Sequence, residues 1–75
     1  MKYILMEYGE CGLQCVGQYN SIEAARTEMA ECFSQQVEQT PEFDEDGYWS
    51  CDDASIGPWS AWAYGIDWAI VEVEA

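Results

Sequence analysis

The sequence predicts an α+β domain, a β-β-α chain followed by an irregular segment and a final strand, with an antiparallel sheet and one helix packed on one face. Three observations predict it. Two short apolar runs, Tyr3 to Tyr8 and Leu13 to Tyr19, flank a glycine-bearing turn. Apolar residues then recur at three-to-four spacing from Ile22 to Val37, the period of a half-buried helix. Near the end, Gly65 to Glu74 reads G-I-D-W-A-I-V-E-V-E, whose aromatic and β-branched residues suit a strand.

Between the first two runs, Gly9-Glu10-Cys11-Gly12 supplies two glycines able to take positive φ, so the pair reads as a hairpin with a four-residue loop. Leu13, Cys15 and Tyr19 are expected to share one face of the second strand. Gly17 inside that strand predicts a bulge or a close approach of another backbone. Asn20 or Ser21 is placed to cap the helix, with Glu23 as the carboxylate of a capping box. The helix is expected to run to about Gln39, before Thr40-Pro41. Ile22, Ala25, Met29, Cys32 or Phe33, and Val37 make its buried stripe, the ordinary reading of such a period being core. Glu23, Thr27, Glu31, Ser34 and Glu38 lie opposite, with Glu28 to one side.

Pro41 to Tyr64 has no sustained period and is about two dozen residues long, more than a compact domain normally leaves unstructured. Its tryptophans oppose disorder, and Tyr48 to Cys51 and Trp59 to Tyr64 are each expected to add a short strand. The last strand presents Ile66, Trp68 and Ile70 on one face and Ala69, Val71 and Val73 on the other, so it suits the centre of a sheet. One arrangement sets it antiparallel to the first strand, in the sheet order second, first, last. No repeat or boundary appears, and residues 1–75 read as a single domain.

Composition limits function. Fifteen Asp and Glu against Lys2 and Arg26, with no His, give a net charge of −13. Carboxylates in such excess repel one another, and a basic partner or a cation relieves the repulsion. They also repel nucleic acid and anionic lipid, so neither a direct nucleic-acid contact nor a membrane contact is expected. Disorder requires few hydrophobic and aromatic residues, whereas this chain has 49% and 15%. No apolar run reaches the ~18 residues of a bilayer span, and Met1 to Met6 leads straight into Glu7 without a cleavage site, which predicts an unexported, cytoplasmic protein.

Four cysteines, Cys11, Cys15, Cys32 and Cys51, allow three disulfide pairings. A cytoplasmic chain keeps them as thiols, and only Cys11 and Cys15 approach zinc-ligand spacing. A calcium loop is the other metal reading. Glu42, Asp44, Asp46, Tyr48 and Asp53 fall at positions one, three, five, seven and twelve around Gly47, as in an EF-hand. Glu at the first position, a short Asp at the twelfth and Pro58 beyond it depart from that pattern. Neither a metal nor a cofactor is therefore expected, with this loop as the alternative. Without His, a nucleophile motif or a phosphate-cradling glycine loop, the chain is not expected to be an enzyme.

Two constellations remain. Tyr48, Trp49, Trp59, Trp62, Tyr64 and Trp68 form an aromatic cluster that is either a satellite core or a set of partner anchors, for which Trp59 and Trp62 beside Pro58 are the candidates. The acids are either a solvated face or an array. Helix carboxylates at positions 23, 31 and 38 repeat every ~10–12 Å at a rise of ~1.5 Å per residue. Glu28, Glu31 and Glu38, joined by Asp44, Glu45, Asp46, Asp52 and Asp53 from the long segment, can fill a basic groove that normally holds nucleic acid.

In size, in its fifteen acids against two bases and in its β-β-α-β order, the chain resembles the small acidic inhibitors of phages and mobile elements, among them DNA mimics and anti-CRISPR proteins. Those proteins share no sequence signature, so the resemblance implies a class of partner and gives no residue a role. It implies a basic, nucleic-acid-binding protein or complex as partner, in the cytoplasm of a bacterial host. The alternatives are an ion- or ligand-binding module built on Glu42 to Asp53, and an accessory protein that forms a homodimer through a sheet edge or the second apolar face of its sheet.

Overall fold

A computed structural model of the chain describes residues 1–74. Six strands and one helix follow in the order β1 (Lys2–Gly9), β2 (Gly12–Tyr19), α1 (Ile22–Val37), β3 (Trp49–Cys51), β4 (Ala54–Ile56), β5 (Ser60–Ala63) and β6 (Ile66–Val73). All pairings are antiparallel, and the sheet runs β2-β1-β6-β5-β4-β3. The fold is α+β, with the expected order second, first, last forming one half of the sheet. The Cα envelope of 37 × 33 × 14 Å is that of one helix layer on one sheet layer, which stack ~10 Å apart.

The first hairpin closes more tightly than expected. Gly9 pairs with Gly12, so Glu10 and Cys11 alone make the turn, and only Gly12 takes positive φ, at 94°. Gly17 does mark a bulge: Leu5 pairs with Gly17 but Met6 with Cys15, leaving Val16 as the extra residue. The atoms nearest Gly17 belong to a side chain rather than to another backbone, since a Cβ there would meet the Tyr19 hydroxyl at 2.7 Å. The bulge overturns the expected common face of β2. Leu13 and Cys15 pair with Tyr8 and Met6 on one side, while Tyr19 pairs with Tyr3 on the other, because one inserted residue reverses the alternation.

Ser21 caps α1, its Oγ accepting from the Ala24 N–H at 3.1 Å. That puts Glu23 one position too early for a capping box, which needs the third helical residue. The helix ends at Val37, two residues short of Gln39, because Glu38 turns left-handed at φ 58° and donates its N–H to Ser34 O. Ala25, Met29, Phe33 and Val37 are buried, with Ile22 and Cys32 half-buried, so Phe33 takes the core position for which Cys32 also qualified.

The long segment holds three strands. β3 and β5 match the expected pieces, and β4 joins them through the Asp52-Asp53 turn and Gly57-Pro58-Trp59. Three residues are too few to show a period, so β4 had no sequence signal. Tyr64 and Gly65, at φ 50° and 85°, link β5 to β6 in a two-residue turn with both residues left-handed.

Leu5, Ala54, Ile56, Ala61, Ala63, Trp68 and Ile70 meet the helix stripe in a single core. Phe33 is its pivot, edge-on to Trp49 at 5.8 Å and to Trp68 at 6.2 Å. The opposite face of the sheet carries no helix. There Ile4, Met6, Tyr8, Leu13, Cys15, Trp62, Ala69, Val71 and Val73 share one side by register, and Leu13 and Tyr8 are 66% and 57% exposed. The centre strand is apolar on both faces, as its sequence indicates, but only one face is covered.

Candidate functional site

A groove of about 630 Å³ opens between α1, the 40–47 segment and the β4–β5 connection. Met29 and Ile56, both buried, make its floor. Ala30, Pro41 and Pro58 add apolar wall, and Phe43, 46% exposed, stands at the mouth. Glu31, Glu45 and Asp46 line the same groove. Its volume lies in the ~300–1,000 Å³ range of ligand clefts, which are usually apolar with a few polar groups that set orientation.

The rim on the segment side is held by its own backbone. Asp44 Oδ1 accepts from the N–H groups of Asp46 at 2.9 Å and Tyr48 at 3.0 Å, and the Asp44 N–H donates to Tyr48 O at 3.0 Å. Gly47, at φ 85°, donates to Asp44 O. This Asx-type turn follows from Asp44, Asp46 and Gly47, and it fixes where Glu45 and Asp46 emerge. At the other end Arg26 donates from Nε to Pro58 O at 2.7 Å, and its guanidinium lies 5.5 Å from the Trp59 ring centre. The lone cation at the groove is thereby turned to neutral partners. Lys2 likewise donates to Asn20 Oδ1, at 2.6 Å.

The turn also engages groups that the calcium loop would use. Asp44 uses its Oδ1 on two backbone donors and Tyr48 its carbonyl on a third. Asp53 sits in the β3–β4 turn, with strand β3 between it and the loop. Glu42, Asp44, Asp46, Tyr48 and Asp53 thus do not converge, and among the described residues no group of three or more His, Cys, Asp or Glu is placed to hold a metal ion.

The expected partner-binding set divides in space. Glu31, Glu45 and Asp46 come together at the groove. Glu28 is near Tyr19 and Cys32, on the flank of the helix facing β2, and Glu38 marks the helix end. Asp52 and Asp53 form the distal turn at the far sheet edge. Of the anchors, Trp59 stacks beside Arg26 while Trp62 lies on the helix-free face, both about half exposed. The aromatic cluster is therefore split, with Trp49 and Trp68 in core contact and Tyr48, Trp59, Trp62 and Tyr64 exposed.

Electrostatic strain collects on the β2 flank. A hydrogen bond with Glu31, then partial burial and the Glu31 charge, holds the Glu28 carboxyl above its ordinary range. Burial pushes the Cys32 thiol up, helped by Glu28, Glu7 and Glu31. All four cysteines are free thiols, with Cys11, Cys15 and Cys51 exposed.

Arg26, Met29, Phe43 and Ile56 belong to the groove without having been candidates. Phe43 had a signal, a large apolar residue set among Glu42, Asp44, Glu45 and Asp46. No family model, curated protein or solved structure matches the chain significantly. No helix among the described residues is long and apolar enough to cross a membrane.

Proposed function

We propose that this chain is a non-enzymatic acidic binding protein that docks on a basic, nucleic-acid-handling protein surface, as an inhibitor or nucleic-acid mimic of the anti-CRISPR or anti-defence type acting in a bacterial cytoplasm. The observation that carries the reading is the groove, where Ala30, Pro58 and the exposed Phe43 offer apolar surface above a floor of Met29 and Ile56, beside Glu31, Glu45 and Asp46. A Lys or Arg side chain matches that combination, since its methylene stem covers apolar surface and its head remains among carboxylates. The net charge of −13 supplies long-range steering toward such a partner. Ordinary solvation needs net charges of only about 2 to 8 on a small domain.

The test is binding to a panel of purified guide-loaded effector nucleases and other basic nucleic-acid-binding proteins, read by surface plasmon resonance. Association should slow at least tenfold between about 50 and about 500 mM salt, as exposed charges act mainly on the on-rate. Glu31→Gln with Glu45→Gln and Asp46→Asn should slow association and flatten that salt dependence, whereas Phe43→Ala should raise the off-rate. Duplex DNA should compete for the same partner. Binding that ignores salt, or no binding to any basic partner at low salt, overturns the proposal.

A further inference from the structure

We infer that the helix-free face of the sheet is a self-complementary interface and that two copies of this chain pack there face to face. The inference does not rest on the groove, which opens on the opposite side of the sheet.

Charge is segregated across the sheet. Of the residues that register places on the helix-free side of β1, β2, β6 and β5, only Lys2 and Asp67 are charged. The carboxylates of Glu7 and Glu72 fall on the helix side of the same strands, and Glu23, Glu28, Glu31 and Glu38 belong to the helix layer. In a chain of net charge −13, a face so nearly free of acid is not what attracts a basic partner. Two such faces can meet while the acidic layers point away from each other, which keeps their mutual repulsion long-range and screened.

The two charges also complement each other. Lys2 and Asp67 lie at opposite ends of neighbouring strands, since Lys2 pairs with Val73 and Asp67 with Tyr8. A two-fold axis in the plane of the sheet and across the strands sets Lys2 of each copy over the Tyr8 end of β1 in the other, one strand spacing of ~4.8 Å from Asp67 on β6 and within reach of a lysine side chain, an isologous contact. Between these ends lie Ile4, Met6, Tyr8, Leu13, Val71, Val73 and Trp62. Three eight-residue strands of ~26 Å, with the shorter β5, β4 and β3 beside them at strand spacings of ~4.8 Å, make a face of about 500 Å². Two faces bury about 1,000 Å² together, the lower bound for a specific interface. Aligned sheets packed in this way interdigitate side chains as a sandwich core does. The dimer carries its two acid-rimmed grooves on opposite outer surfaces.

Sedimentation equilibrium on the whole chain from about 1 µM to about 1 mM tests this. The expected mass rises to twice the 8.5 kDa of one chain, and added salt strengthens association by screening the acidic layers. Leu13→Glu and Val71→Glu should each raise the dimer Kd at least about tenfold, with circular dichroism unchanged because both side chains are already exposed. Lys2→Asp and Asp67→Lys should each weaken the dimer, and the two together should restore it. If a Glu variant fails to fold, Val71→Gln and Trp62→Ser read the same face. A monomer at every concentration overturns the inference, including one that binds phosphatidylcholine vesicles instead. So does a dimer indifferent to Leu13, Trp62 and Val71, or one that the double charge swap does not restore.

Discussion

The indole Nε1 of Trp68 donates a 2.9 Å hydrogen bond to Glu7 Oε1 across the β1–β6 pair, joining residues 61 positions apart. Trp68 is 3% exposed, so without Glu7 its N–H is left in the core with no acceptor. The pairing also explains why an acidic residue sits on the helix side of the central strands. Glu7→Leu should cost about 1–3 kcal/mol, the price of an unsatisfied buried donor. Glu7→Gln keeps an amide oxygen in reach and should cost less than about 1 kcal/mol. Urea unfolding of both variants checks this, and equal losses would mean that the hydrogen bond contributes nothing beyond packing.

The tryptophans should separate cleanly. Trp68→Ala removes a buried ring that Phe33 meets edge-on and should cost about 3–5 kcal/mol, enough to unfold much of so small a domain. Trp59→Ala loses a half-exposed ring and its Arg26 contact, for about 1–2 kcal/mol. Trp62→Ala on the helix-free face should cost under about 1 kcal/mol in the monomer. Thermal melts at low protein concentration rank the three, and a different order would contradict this division of the aromatic cluster.

Acid should favour the fold through Glu28. Its carboxyl is held above the ordinary value of 4.5, chiefly by its hydrogen bond with Glu31. The folded state therefore binds the proton more tightly than the unfolded chain. That contribution is complete below pH 4.5 and is lost as pH rises through the raised folded value. Glu28→Gln should flatten the loss of stability above pH 4.5 and leave stability below it unchanged. Urea midpoints taken at half-unit steps between about pH 4 and about pH 7 measure the slope directly. A variant that follows the parent slope throughout would show that the pair is separated by water.

Local pattern carries far in this chain. The alternation around Ile66 to Val73, the stripe of Ala25, Met29, Phe33 and Val37, the stop before Pro41 and the bulge at Gly17 each depend on residues a few positions apart. Such effects are set by backbone geometry and by which side of a strand or helix a residue occupies. The last strand could even be placed beside the first, because its apolar faces demand a central position.

Everything that depends on distant residues meeting needed the tertiary structure. Ala54 to Ile56 is too short to register as a strand until β5 and β3 pair with it on either side. Among ten candidate partner residues, only Glu31, Glu45 and Asp46 converge, because the Asp44 turn folds the segment back over α1. Trp59 and Trp62, three positions apart on one strand and its approach, point to opposite faces by strand alternation. Composition and local pattern are enough to specify an acidic α+β domain with a two-faced apolar sheet. Tertiary packing decided which face the single helix covers, and so which apolar surface stays open and which carboxylates meet over a groove. Among the described residues, covering one face takes the whole apolar stripe of the single helix, and nothing remains there to cover the other.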